Sequence, residues 1–336
     1  MGLTIKDIAQ KAGVSTATVS RVLNNSKPVS PQLKKKVLKV VEETGYRPNA
    51  LARGLIKKHT ALIGVIIPDV ANLNFAEMIK GIEQVADENN FDIILSSSGA
   101  NVDKELEIFD VFIEKQLDGI IFSGVFFTDR HKEFFNKYNI PTVIVGQNFP
   151  GVELPSVTIN NFQAAYEATS YLIELGHRRI GMITGPLKDI AAGLDRYRGF
   201  SAALKEYKVK EIEEYVVEGD FNIDSGYRCM EDILTGKEVP PTAIFAASDK
   251  IAIGAMNCCY DKGYKVPDDI SIIGFDDTEV ASVVRPSLTT IHQNHQEIGS
   301  TTAQLLIDRI KGRHNRAINV QLPYRLIERE STRKIR

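Results

Sequence analysis

Residues 4–24 read TIKDIAQKAGVSTATVSRVLN, and this stretch determines how the N-terminal part of the chain folds. Four apolar residues share one helix face, at spacings of three and four: Ile5, Ile8, Ala9 and Ala12. Thr4 can cap that helix and Gly13 can end it, whereas Ser15 can cap a second helix soon afterwards. The inward face of the second helix consists of Val19, Val22 and Leu23. Two short helices joined by so tight a turn are typical of a helix-turn-helix.

A third helix is predicted from Ser30-Pro31, a cap followed by a proline in the first turn, to Gly45. Its inward residues are predicted to be Leu33, Val37, Val40 and Val41, and its mostly outward residues Lys34, Lys35, Lys36 and Lys39. We therefore expect an all-α head over residues 1–46.

Charge is distributed unevenly along the chain. Residues 1–60 contain twelve Lys and Arg against three Asp and Glu, a net charge of +9 in a chain whose total is −2. The remainder therefore carries −11. A basic head on an acidic body predicts that the head alone meets a polyanion such as DNA.

The start of the second helix has side chains suited to base edges in the major groove. Small residues occupy this position: Ser15, Thr16, Ala17 and Thr18. Arg21, one turn later, can donate two hydrogen bonds to a guanine edge. A plain three-helix bundle would explain the helices, but not this polar helix start together with the basic charge.

From residue 61 onward, apolar runs alternate with helical patterns. The predicted strands are residues 62–68, 92–97, 119–123, 142–145, 180–184, 243–246 and 271–275. Predicted helices include residues 75–89, 162–175, 198–207 and 250–262. This alternation predicts parallel sheets covered on both faces, and the length of the region predicts two lobes.

Several other classes of protein find no support in the sequence. It has no GxGxxG, GxxxxGK[ST] or GxSxG motif, so we predict no catalytic residues and no cofactor. The pair His292 and His295 lacks an HExxH pattern, so no metal site is expected. The three cysteines are predicted to be buried thiols: Cys229, Cys258 and Cys259. No apolar run is long enough for a bilayer and no signal peptide is recognisable, so we expect a cytoplasmic protein with no membrane partner.

These residues resemble the lactose/galactose repressor family. The head fits T-I-x-D-I-A-x-x-A-G-V-S-x-x-T-V-S-R-V-L-N from Thr4 to Asn24, and residues 46–55 fit Y-R-P-N-x-x-A-R-x-L. In the body, residues 174–180, 274–277 and 285–291 are similar to family stretches. The resemblance thus extends along the whole chain.

The resemblance implies a homodimer that binds a pseudo-palindromic operator with a central C-G step. The resemblance implies that residues 47–60 form a hinge helix when the protein binds its operator. It also implies that Leu55 of each subunit wedges into the minor groove. The residues implied in DNA binding are Thr4, Ser15, Thr16, Ala17, Thr18, Ser20, Arg21, Asn24, Tyr46, Asn49, Ala52, Arg53 and Leu55. Because the last six residues, 331–336, contain no leucine heptads, we expect a dimer rather than a tetramer.

The resemblance also implies a body with the periplasmic-binding-protein-like fold, two parallel-sheet lobes with an effector between them. We expect the first lobe at about residues 61–160 and 292–321, and the second at about 161–291 and 322–336. Ligands of such sheets bind at the carboxyl ends of strands. The implied effector-binding residues are Asn74, Phe75, Gln147, Arg196, Phe221, Ser248 and Asp276. Several relatives have Asn at the position of Ser248, so Ser248 departs from the family pattern there.

We therefore expect a ligand-responsive transcription regulator, a repressor, whose small-molecule effector is a neutral sugar. Two alternatives stay open: a purine-responsive repressor, and a global catabolite regulator whose corepressor is a phosphocarrier protein. Against the latter, Gln304 stands where such regulators have Arg in their contact helix. An enzyme with a fused DNA-binding head is a rival class, and a periplasmic transport receptor conflicts with the head.

Overall fold

The computed structural model describes residues 3–24, 27–46, 59–149, 151–235, 239–313 and 316–335. The chain divides into two compact units, Met1–Ala61 and Leu62–Arg336. We refer to the first as the head and to the second as the body.

The head contains helices α1 (Ile5–Ala12), α2 (Thr16–Asn24) and α3 (Pro31–Thr44). Thr4 caps α1 in a reciprocal capping box with Asp7, and Gly13 ends it in the left-handed conformation at φ 59°. The buried core of the head consists of Ile8, Ala9, Ala12, Val19, Val22 and Val37. The three helices are confirmed, but the inward position of Leu33 is wrong, because its side chain is exposed.

Twelve strands of the body are described by the structure. In chain order they are β1 (Leu62–Ile67), β2 (Asp92–Ser97), β3 (Gly119–Phe122), β4 (Thr142–Val145), β5 (Ser156–Ile159), β6 (Ile180–Thr184), β7 (Val216–Glu218), β8 (Ala243–Ala246), β9 (Ser271–Asp276), β10 (Thr289–Gln293), β11 (Asn319–Leu322) and β12 (Tyr324–Ile327). They form two six-stranded sheets, in the orders β11-β5-β4-β3-β1-β2 and β12-β10-β9-β8-β6-β7. Neighbours pair in parallel except β10 and β12, which are antiparallel.

Helices connect successive strands in both lobes. Those of the body are α4 (Leu73–Glu88), α5 (Val102–Glu114), α6 (Asp129–Tyr138), α7 (Asn161–Glu174), α8 (Arg196–Glu206), α9 (Ile223–Leu234), α10 (Asp249–Asp261), α11 (Glu279–Val283) and α12 (His295–Ile310). A π-helical turn, Ile190–Asp195, leads directly into α8. The predicted fold class, an α-helical head with a two-lobed α/β body, is confirmed.

The chain passes between the two lobes after β5, after β10 and after β11. Gln293 still pairs with Tyr324 in the second sheet, and Leu322 still pairs with Ile159 in the first. The second and third passages therefore lie slightly later along the chain than residues 292 and 322, where we expected them. This difference matters because it gives Gln293 to the second lobe and His295 to the first.

Two glycines bring α4 and α12 into close contact beside the first sheet. A Cβ atom on Gly81 would lie 2.0 Å from the carbonyl oxygen of Gln296, and one on Gly299 would lie 1.9 Å from that of Met78. No other residue type fits either position without moving a backbone. The contact fixes the N-terminal ends of both helices, which carry Asn74 and His295.

The three cysteines are buried, as predicted. No helix within the described ranges is long and apolar enough to cross a membrane.

Candidate functional site

The start of α2 presents a polar surface in the head. Ser15, Thr16 and Ala17 are exposed, and so is Arg21 one turn later. The backbone N–H of Thr18 donates to Ser15 Oγ at 3.2 Å, so the helix start is ordered by its own side chains. In a helix-turn-helix, the residues at such an exposed helix start contact base edges in the major groove.

The other predicted DNA-binding residues differ in how much the structure describes. Tyr46 is half-buried against the core of the head, and Ser20 is half-buried on α2. The side chain of Asn24 lies outside the described residues. The same holds for the hinge residues Asn49, Ala52, Arg53 and Leu55.

Asp276 lies at the centre of the predicted effector residues in the body. It is the last residue of β9 in the second lobe, and its side chain is almost fully buried. Asn74 Nδ2 of the first lobe donates to Asp276 Oδ2 at 2.7 Å, and Gln293 Nε2 donates to Oδ1 at 2.7 Å. The Arg196 guanidinium lies 3.7 Å from the same carboxylate. One carboxylate thus joins the two lobes and three polar side chains.

The backbone at this point is strained. Asp276 has φ 113° and Asp277 has φ 58°, both in the region that favours glycine. Such conformations cost energy and persist where the surroundings fix them, which is common at ligand-binding sites.

Arg196 lies at the start of α8 and is almost fully buried. Its Nε donates to Asn161 Oδ1 at 2.9 Å and its Nη1 to the carbonyl of Ala247 at 2.6 Å. The guanidinium carbon is 3.5 Å from the ring centre of Phe275, a cation–π contact. Burial lowers the pKa of Arg196. The neighbouring carboxylates raise the pKa of Arg196 instead; they are those of Asp276, Asp189 and Asp249.

Asp249 is a fully buried carboxyl close to this cluster. Burial, together with the charge of Asp276, raises the pKa of Asp249 to about 7. Its Oδ2 accepts from the backbone N–H of Thr278 at 2.7 Å, and its Oδ1 accepts from Thr290 Oγ1 at 2.6 Å. The group therefore ties β9 and β10 to the first turn of α10.

Gln147 forms a second connection between the lobes. Its Nε2 donates to Asp189 Oδ1 at 2.7 Å, and its Oε1 accepts from the backbone N–H of Ala191 at 3.1 Å. Burial raises the pKa of Asp189, against the hydrogen bonds of Ala192 and Gln147. Gln147 follows β4 in the first lobe, whereas Asp189 precedes α8 in the second.

The remaining candidates form walls or caps. Phe75 is half-buried against the large core of the body. Phe221, at φ 65°, packs on Gly185 so closely that a Cβ there would lie 1.9 Å from the ring. Ser248 caps α10, since its Oγ accepts from the backbone N–H of Ile251 at 3.2 Å. The predicted set is thus gathered at the carboxyl ends of strands facing the cleft, with Ser248 engaged in a helix cap.

Four further residues of the cleft were absent from the predicted set. Three of them form hydrogen bonds with predicted residues: Asn161 with Arg196, Asp189 with Gln147, and Gln293 with Asp276. The fourth, His295, lies close enough to Asp276 and Arg196 to feel their charges. Asn161 follows β5, while Gln293 ends β10 and His295 follows it closely. Neither strand was predicted, and recognising the two strands would have pointed to these three residues.

A cavity of about 290 Å³ adjoins the Asp276 cluster. Part of its wall consists of Asn74, Gln293 and His295. The acidic residues Glu77, Asp277 and Glu279 also line it, together with His292.

Comparisons with known proteins agree with this architecture. The sequence pattern of "Bacterial regulatory proteins, lacI family" matches residues 4–49, and that of the "Periplasmic binding protein-like domain" matches residues 169–332. Catabolite control protein A of Priestia megaterium is 41% identical over 333 residues, covering 99% of this chain and 100% of that protein.

Solved structures give the same result. The Lac repressor dimer bound to operator and the anti-inducer ONPF has a TM-score of 0.90 at 28% identity, covering 99% of this chain and 100% of that one. The complex of the transcriptional regulator CelR with cellobiose has a TM-score of 0.75 at 30% identity, covering 98% and 99%. The fold and the site thus define a DNA-binding transcription regulator with a ligand-binding body. The chain belongs to the lacI family of bacterial regulatory proteins.

Proposed function

We propose that the protein is a repressor that binds a pseudo-palindromic operator as a homodimer and responds to a neutral sugar in the cleft between its lobes. The observation that carries this proposal is the Asp276 carboxylate of the second lobe, which is bonded across the cleft to Asn74 of the first lobe and also to Gln293, with Arg196 3.7 Å away. A ligand that replaces the bond between Asn74 and Asp276 changes how the lobes are held together. Its regulatory effect equals the difference between its affinities for the two lobe arrangements.

On the DNA side, α2 enters the major groove. The exposed side chains at its start supply the contacts, with Arg21 on a guanine. Thr4 and Ser20 bind backbone phosphates or sugars, since hydroxyl groups commonly do so. A homodimer is supported by the operator-bound dimer of the Lac repressor, which this chain resembles over its whole length. Two inverted half-sites match such a two-fold axis.

The charge of the cleft favours an uncharged effector. One guanidinium, Arg196, is surrounded by three carboxylates, those of Asp276, Asp189 and Asp249. A phosphate group needs several cations or free N–H donors, and here it would meet an excess of negative charge. Sugar hydroxyls both donate and accept, which suits a wall of amide and carboxylate groups. The cellobiose complex of CelR is a precedent for a sugar in this fold.

A purine remains the alternative ligand of the same cleft. Phe75 and Phe221 could stack on either a base or the C–H face of a sugar, so they do not discriminate. The carboxamide of Gln147 is already engaged on both atoms, which leaves one fewer group for the ring edge of a base.

Asp276→Ala tests the effector site. A sugar at 100 times its dissociation constant should raise the free energy of unfolding by about 2.7 kcal/mol and so raise the melting temperature. We expect Asp276→Ala to lose this stabilisation. Operator affinity should stay within a few-fold, because the head is a separate compact unit. Asp87→Ala, which removes an exposed carboxylate on α4, is the matched control. Retention of the shift in Asp276→Ala, or a response to hypoxanthine or guanine alone, would contradict the assignment.

We further propose that the protein is not an enzyme and acts in the cytoplasm, where its operator is. The relatives named above are transcription regulators. An assay for turnover of sugars, phosphosugars and nucleosides by the purified protein tests the first point.

The identity to Catabolite control protein A favours a second candidate, a regulator with a phosphocarrier corepressor. Gln304 is exposed on α12, so it is available for such a contact, yet it lacks the charge of Arg. Titration with phosphorylated and unphosphorylated phosphocarrier protein distinguishes the two functions. If only the phosphorylated form binds and raises operator affinity, this second function holds.

A further inference from the structure

Several buried polar atoms of the cleft have no hydrogen-bond partner. Among the described residues they include Asn74 Oδ1, Thr184 Oγ1 and both ring nitrogens of His295. Folded proteins rarely leave buried polar groups unpaired, and such groups often have a functional role. Asn74 lies at the start of α4, His295 starts α12 and Thr184 ends β6. All three therefore belong to elements whose ends face the cleft.

His295 is surrounded by charged groups of both signs. The Asp276 carboxylate and the Arg196 guanidinium both act on it, as do His292 and Glu77. Burial is the largest influence, and it lowers the pKa of His295. A neutral imidazole has one N–H donor and one acceptor nitrogen, so it can pair with a hydroxyl in either direction.

Asn74 and His295 also line the adjoining cavity, whose volume is about 290 Å³. Gln293 and the carboxylates of Glu77, Asp277 and Glu279 line it too. Within the ranges that the structure describes, no three His, Cys, Asp or Glu side chains lie in a metal-binding arrangement. Glu77 is paired with Lys80 and Asp277 with Arg329, both at 2.6 Å, so the wall has no unpaired cation among these groups to attract an anionic ligand.

We propose that His295 is a specificity-determining residue of the effector site, which together with Asn74 binds a hydroxyl group of an uncharged sugar and disfavours its phosphate ester. This inference rests on the proposed function, since it assigns a residue to the same cleft. Asn74 Oδ1 accepts from the hydroxyl, while Asn74 Nδ2 stays on Asp276. His295 supplies the second hydrogen bond to the same ligand.

A first experiment needs no ligand. If His295 is held unpaired for a ligand, His295→Leu should raise the melting temperature of the full-length protein by about 2 to 4 °C, because an unsatisfied polar ring is replaced by an apolar side chain. His292→Leu is the matched control. His292 Nδ1 is paired with Asp277 Oδ2 at 2.9 Å, so its loss should lower the melting temperature. A decrease in His295→Leu comparable to that of His292→Leu would show an ordinary structural role and overturn the proposal.

A second experiment measures binding by calorimetry with two probe pairs, D-ribose against D-ribose 5-phosphate and D-glucose against D-glucose 6-phosphate. We expect a neutral sugar to bind at least tenfold more tightly than its phosphate. His295→Leu should weaken that sugar at least tenfold, and His295→Gln, which keeps a donor and an acceptor, should restore part of the loss.

Variants of two residues separate the possible failures. If Asp276→Ala abolishes sugar binding while His295→Leu leaves it unchanged, the role of His295 is wrong and the proposed function stands. If Asp276→Ala also leaves binding intact, the effector site itself is wrong. Equal affinity for sugar and phosphate, or binding of neither, overturns the ligand class.

Discussion

Gln147→Glu tests whether the two lobes are held together by Gln147 and Asp189. The substitution keeps the shape of the side chain but replaces the donating amide, 2.7 Å from Asp189 Oδ1, with a carboxylate oxygen. Two charges at that distance repel by about 6 kcal/mol at an effective dielectric constant of about 20. That cost exceeds the cost of binding a proton, so the pair should instead share one proton.

The expected loss of stability therefore depends on pH. Near pH 5 a shared proton restores one hydrogen bond, and the loss should be below about 1 kcal/mol. At pH 7.5 the proton must be held roughly three units above the ordinary glutamate pKa, which costs about 4 kcal/mol. At about 2 to 4 °C per kcal/mol, the melting temperature should fall by roughly 8 to 16 °C.

Calorimetric melting at both pH values measures this difference. Gln84→Glu is the matched control, because Gln84 Nε2 donates to Glu88 Oε1 at 3.2 Å on an exposed helix face. There the same charge change should cost less than about 0.5 kcal/mol. Adding Asp189→Asn to Gln147→Glu should recover most of the stability. A loss independent of pH, or no recovery in the double variant, would refute the reasoning.

Three other predictions concern the operator and the buried carboxyl. Arg21→Ala should weaken operator binding by about 1 to 3 kcal/mol and relax one base preference, measurable on single-base operator variants. Leu55→Ala should reduce operator affinity far more than affinity for random DNA, because kinking is lost; equal losses would refute the wedge. Asp249 has a pKa raised to about 7, so its ionisation makes stability fall as pH rises from about 4 to 7. Asp249→Asn should flatten that part of the pH–stability curve, and an unchanged slope would contradict it.

The sequence predicted the strongly patterned elements well. Every predicted strand has a counterpart in β1–β4, β6, β8 or β9, and most of these are short apolar runs that are buried throughout. The missed strands differ in composition. β10 reads TTIHQ, and β11 reads NVQL with alternating exposed residues, so tertiary pairing rather than local pattern forms them.

The sequence proposes candidate residues one by one but not the hydrogen-bond network that joins them. Asp276 and Arg196 could be found from motifs and strand ends, yet their partners come from distant parts of the chain. Asn74 and Asp276 are 202 positions apart, and Gln147 and Asp189 are 42 apart. No local pattern indicates that two polar side chains satisfy each other across a cleft. Leu33 illustrates the converse, because helical spacing alone placed an exposed leucine in the core.

Asp276 and Gln147 are already bonded within the protein, and this limits what an effector can gain from these two residues. Each hydrogen bond it forms with Asp276 or Gln147 replaces an internal bond of similar strength. Net affinity is then a small difference between large contributions, so half-saturation falls at a high concentration of ligand. We expect the proposed regulator to ignore traces of its effector and to change gene expression only once the effector is abundant.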